Sequence, residues 1–171
     1  MRNQKGFTLI ELIIVIVVLG ILAVTAAPQF INFSTDARTS TVKGLKGALQ
    51  GAAQTVYARA AIDGSLNGTP DSPVSVNSVA TSGGYPTASD SGIKVAASLG
   101  SDDWVTLVVD GDNDTTTPNT YYVGPADYIP NSGASESDFT AANGTDGCYA
   151  SYAETDDSDT PPTITTETSG C

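Results

Sequence analysis

Phe7 to Ala27 reads FTLIELIIVIVVLGILAVTAA, 21 residues with one charged side chain, Glu11, ending against Pro28. At about 1.5 Å of rise per residue, the run spans roughly 30 Å as a helix, the thickness of a bilayer's hydrocarbon core. Arg2 and Lys5 precede it, and no further cation follows until Arg38. The positive-inside rule then places Met1 in the cytoplasm and the rest of the chain outside.

Glu11 is the feature that a simple span does not need. A carboxylate within a membrane helix costs several kcal/mol unless it is paired or protonated, so its presence points to a function. It lies one helical turn beyond Phe7. Cutting the chain between Gly6 and Phe7 would create an ammonium group at the same depth. That charge could neutralise Glu11 of a neighbouring copy and favour ordered self-assembly where screening is weak.

A short basic leader ending in Gly, followed by Phe-Thr-Leu-Ile-Glu-Leu and an apolar helix, resembles the type IV prepilins. The resemblance is strong over about the first 30 residues. It implies a dedicated peptidase that cuts after Gly6, N-methylation of Phe7, and Glu11 as the assembly glutamate. Gly20 and Pro28 match helix-weakening positions of that family, in keeping with intrinsic costs of about 1 and 3 kcal/mol in a helix interior. Over the whole chain the pattern looks closest to the mannose-sensitive haemagglutinin (MSHA) pilins. The residues that carry this are Lys43-Gly44-Leu45-Lys46-Gly47-Ala48 and Pro161-Pro162-Thr163-Ile164-Thr165 before Cys171.

Two plainer readings of the N-terminal run were weighed against this one. A secretory signal peptide, with Thr25-Ala26-Ala27 as cleavage site, expects a core of 7–15 apolar residues; this run is longer and charged near its start. A permanent membrane anchor fits the length but leaves Glu11 without a purpose.

Beyond Pro28 the apolar residues thin into a stripe. Phe30, Phe33, Ala37, Val42, Leu45, Leu49, Ala52, Val56 and Ala60 recur at spacings of three to five, the mark of an amphipathic helix. The periodicity predicts one helix from Phe7 to about Asp63, roughly 85 Å long, with residues 7–28 in membrane or filament core and 29–63 packed on a head of residues 64–171. Gly44, Gly47 and Gly51 weaken the second half; either a sheet or neighbouring helix approaches there, or tertiary contacts tolerate them. Lys43 to Gly47 lacks the spacing of a phosphate loop.

Residues 64–91 read as a long polar connection with at most one short element, Val74 to Val79, and turn signals at Asn67-Gly68, Pro70-Asp71 and Gly83-Gly84. Strands are predicted at Trp104–Val109, Thr120–Val123, Cys148–Ala153 and Thr163–Glu167. The fold class is therefore α+β: a long N-terminal helix covering one face of an antiparallel sheet of about four strands, the pilin fold by resemblance. Cys148 and Cys171 are the two cysteines, and an exported domain would pair them.

Asp110, Asp112 and Asp114 alternate like the start of an EF-hand, but Thr115 stands where Gly is required and Tyr121 where Glu is. An acidic hairpin turn or a looser calcium site remains. Four glycosylation-type triplets, at Asn32, Asn67, Asn113 and Asn143, arise readily by chance in so Ser/Thr-rich a chain. The formal charge is −12, falling to −14 if Arg2 and Lys5 leave with the leader. Such a surface argues against nucleic-acid partners. There is no histidine, no catalytic motif and no residue set that asks for a cofactor.

The implied partners are further copies of the chain in a helical filament, the prepilin peptidase and assembly machinery, and the inner membrane of a Gram-negative cell before export to its surface. A pseudopilin of type II secretion shares the leader, and a membrane-anchored binding module is the reading from a different class.

Overall fold

The computed structural model describes residues 6–111, 118–129, 134–140, 147–155 and 160–171. The elements in chain order are α1 (Leu9–Asp63), β1 (Val74–Val76), β2 (Val79–Ser82), β3 (Tyr85–Pro86), α2 (Ile93–Ala96), β4 (Trp104–Val109), β5 (Thr120–Pro125), α3 (Glu136–Phe139), β6 (Tyr149–Ala153) and β7 (Thr163–Glu167). Two compact units form, Met1–Ala37 and Arg38–Cys171.

In the first unit, α1 carries an apolar segment from Leu9 to Ala26 with a mean hydropathy of 3.0, none of it buried by the rest of the chain. By length and composition it can cross a membrane. Phe33 and Ala37 lie in this unit and are exposed, Phe33 at 74%.

In the second unit, α1 buries Val42, Leu45, Leu49, Ala53 and Ala60. These spacings of three, four and seven put all five on one face. That face shares a core with Tyr121, Val123, Ala150 and Tyr152. The pairings Tyr121↔Tyr152 and Val123↔Ala150 in the β5–β6 ladder align these four on one side of the sheet. The sheet is antiparallel in the order β4-β5-β6-β7, as the four predicted strands required. Its other side carries a smaller cluster in which Val105, Ile129 and Phe139 are buried beside Leu107, Tyr122 and Tyr149. Phe139 reaches it from the single-turn α3, capped by Ser135 and Asp138. A helix of four residues leaves no periodicity for sequence to reveal.

Residues 64–91 depart most from expectation. In place of a connection with one short element, β1, β2 and β3 make a second antiparallel sheet. Its strands have two to four residues, too few to show alternation, and are joined by two-residue turns at Asn77-Ser78 and Gly83-Gly84 with positive φ throughout. Gly84 is also needed for space: a Cβ there would lie 2.5 Å from Leu66 Cδ2. Tyr85, just past that turn, stacks on Tyr57 of α1 with ring centroids 4.4 Å apart.

Gly44, Gly47 and Gly51 settle differently from one alternative above. No heavy atom comes within 4 Å of a Cβ built at any of them, so no sheet approaches. Replacing Gly47 with Ala should stabilise the head by up to about 1 kcal/mol. Thermal melting of the detergent-solubilised chain checks this, and a lowered midpoint would contradict it.

The buried tyrosines set the alkaline limit. Burial above all, then the hydrogen bond to Asp90, raises the Tyr121 hydroxyl above its ordinary 10.0. Burial likewise raises Tyr152, whose hydroxyl donates to the Pro86 carbonyl at 2.6 Å. The folded chain holds these protons more tightly than the unfolded one. Stability should thus be complete below pH 10 and drain away as pH rises above it. Tyr152→Phe should move the onset of alkaline unfolding to higher pH, whatever it does to stability at neutrality.

Candidate processing and assembly site

Gly6, Phe7 and Thr8 precede the first turn of α1 and are exposed, Phe7 at 94%. A protease needs a peptide it can hold in extended form, and this stretch is outside regular structure. Nothing lies within 4 Å of a Cβ built on Gly6, so the chain's own packing does not demand glycine there.

Glu11 has local partners that the sequence reading missed. Its carboxylate accepts from the Thr8 backbone N–H and from the Thr8 hydroxyl, both at 2.8 Å, while its own N–H donates to Thr8 Oγ1 at 3.3 Å. This is a reciprocal capping box, and the spacing Thr8-Leu9-Ile10-Glu11 is its sequence signature. The cap satisfies donors at the start of α1 that would otherwise lie bare in an apolar medium. It also holds the carboxylate at the end of the helix where the macrodipole favours negative charge. The Glu11 carboxylate is thus hydrogen-bonded by its own helix end, with no other part of the described chain covering it.

α1 continues as helix through Gly20 and Pro28. Near them the ladder is weakened in three ways. Gly20 meets no neighbour, Thr25 turns its hydroxyl back onto the carbonyls of Ile21 and Leu22 at 3.4 and 3.0 Å, and Pro28 has no N–H to give.

At the other end of the chain, Cys148 and Cys171 form the expected disulfide, with Cα atoms 4.8 Å apart and both residues buried. It ties the residue before β6 to the last residue. Asp110 is exposed, and Asp112 and Asp114 lie outside the described residues. Among the described residues no group of three or more acidic, Cys or His side chains could hold a metal ion. Glu154, at the end of β6, is buried and accepts from the Ala88 N–H at 2.8 Å, which ties the sheet to the segment before α2.

The comparisons with known proteins agree with the N-terminal geometry. The family model described as the prokaryotic N-terminal methylation motif matches residues 1–27. The chain is similar to the type IV major fimbrial protein FimA of Dichelobacter nodosus, 46% identical over 30% of this chain and 33% of that one. It is also similar to the fimbrial protein EcpC of Eikenella corrodens, 37% identical over 47% of this chain and 59% of that one. A third relative is the type II secretion system core protein G of Pseudomonas aeruginosa, 46% identical over 25% of this chain and 30% of that one. The chain thus spans from under a third to about three fifths of the length of these relatives. No solved structure matches.

Proposed function

We propose that this chain is the precursor of a type IV pilin, the structural subunit of a surface fibre. The peptidase cuts after Gly6, Phe7 is N-methylated, and α1 holds the subunit in the inner membrane with its N-terminus in the cytoplasm. Subunits then leave the membrane as their apolar helices pack together in a fibre, with Glu11 set against the Phe7 amine of a neighbour. Gly20 and Pro28 give α1 the local compliance such packing requires. The finer reading is an MSHA-type major pilin of a Gram-negative bacterium whose fibre serves attachment.

One observation carries the proposal: the 18-residue apolar segment Leu9–Ala26 of α1, whose single charge is Glu11, finds no cover among the described residues and begins at a glutamate-capped end that matches the methylation motif. A permanent anchor explains the apolar face but not the methylation motif. The similarity to a type II secretion core protein supports a second reading, a pseudopilin that builds a periplasmic piston. Electron microscopy of cells with and without the gene product separates the two. Loss of a surface fibre on deletion is the expected result; intact fibres with lost protein secretion would favour the pseudopilin.

A further inference from the structure

Lys43, Lys46, Gln50 and Gln54 are spaced by three and four and so share one face of α1. Gln50, Ala53 and Gln54 of α1 line an open groove of about 270 Å³ together with Tyr85, Pro161, Pro162 and Ile164. The groove lies wholly within the second unit. Lys43 and Lys46 stand on the same helical face, one to three turns toward the N-terminus from the groove's glutamines. Arg38, Arg59 and Lys94 each make an ion pair, whereas Lys43 and Lys46 make none among the described residues. Acidic side chains outnumber basic ones 19 to 7. Lys46 stands about one turn and Lys43 about two turns from Gln50 along this face, so the slot and its flanking ammonium groups fit an occupant that carries an apolar side chain and a carboxylate on one helical face.

The chain itself carries that pair. Phe33 and Asp36 sit three residues apart on α1, both exposed, and Asp36 makes no ion pair among the described residues. We propose that the groove receives Phe33 of a second copy of this chain, with that copy's Asp36 carboxylate against Lys43 and Lys46. The inference rests on reading the chain as a polymerising subunit and names a contact that sets one copy against the next. Donor and acceptor surfaces differ, so the contact is heterologous and propagates along a filament rather than closing into a two-fold dimer. Charge pairing fixes its register, and the aromatic ring supplies the apolar burial.

Charge reversal in cells expressing the full chain tests the pairing. Lys43→Glu with Lys46→Glu, and separately Asp36→Lys, should each cut the yield of sheared fibre by at least about tenfold. All three changes together should restore it to within about threefold of the parent. A triple variant that assembles no better than either reversal would overturn the pairing. A second measurement does not depend on fibres. A tagged copy carrying Phe33→Cys is co-expressed with an untagged copy carrying Gln54→Cys, and the membrane fraction is assayed for the mixed disulfide dimer. Fibres without this dimer would sink the contact while leaving the pilin reading intact. The dimer from the cysteine pair, with no fibre from cells expressing the parent chain, would sink the pilin reading and keep the contact, and neither species would overturn both.

Discussion

Glu11→Val should leave the subunit in the membrane and abolish fibres. The substitution removes the only charge from the apolar run, so insertion is undisturbed. Assembly loses the partner of the neighbour's Phe7 amine. Stranding one member of a buried pair costs about 3–5 kcal/mol, which weakens each subunit contact by a hundredfold or more. The capping box supplies a sharper variant. Glu11→Gln keeps the reciprocal hydrogen bonds to Thr8, since glutamine serves at this position, but removes the charge. Fibre loss in Glu11→Gln as well as Glu11→Val assigns the role to charge pairing. Normal fibres from Glu11→Gln, with loss only in Glu11→Val, would make Glu11 a cap and nothing more. Thr8→Ala is the reciprocal control: it removes the hydroxyl, keeps the charge, and should still assemble. Counting fibres by electron microscopy against the membrane pool of subunit reads all three.

The second large effect is expected from the disulfide. Cys148 and Cys171 are separated by 23 residues, and reopening that loop should destabilise the head by about 3 kcal/mol from unfolded-state entropy. Both residues are buried in the main core beside Ala150 and Tyr152, so the serine pair also leaves two hydroxyls among apolar neighbours. Cys148→Ser with Cys171→Ser should lower the melting midpoint markedly and expose the chain to proteolysis from β6 onward. A double-alanine variant separates the lost cross-link from the buried hydroxyls. A melting midpoint for double alanine equal to the parent's would contradict a stabilising role for the bond.

How far the residues announced this structure depends on element length. Trp104–Val109 and Thr163–Glu167 were legible to the residue, because β-branched and aromatic runs bounded by turns leave little alternative. α1 was legible because 55 residues of helical pattern outweigh four glycines and a proline. The small sheet of β1, β2 and β3 was not, since Tyr85–Pro86 and Val74–Val76 are too short to repeat the two-residue alternation of a strand and owe their pairing to turns at Asn77 and Gly83.

The candidate site was half legible. Glu11 stands out by its charge, and Gly6 and Phe7 are proposed from the resemblance of the leader to prepilins, yet the Thr8 hydroxyl that holds Glu11 went unread although Thr-x-x-Glu is visible in the chain. That bond changes one inference, because a plain anchor could also use Glu11 as a cap. The choice between anchor and polymerising subunit therefore turns on whether the Phe7 amine is ever made.

Intact mass spectrometry of the mature protein decides this most directly. A chain beginning at Phe7, heavier by one methyl group and lighter by two hydrogens for the Cys148–Cys171 bond, is the expected result. A chain in assembled fibres that still carries Met1 to Gly6 would contradict the proposal.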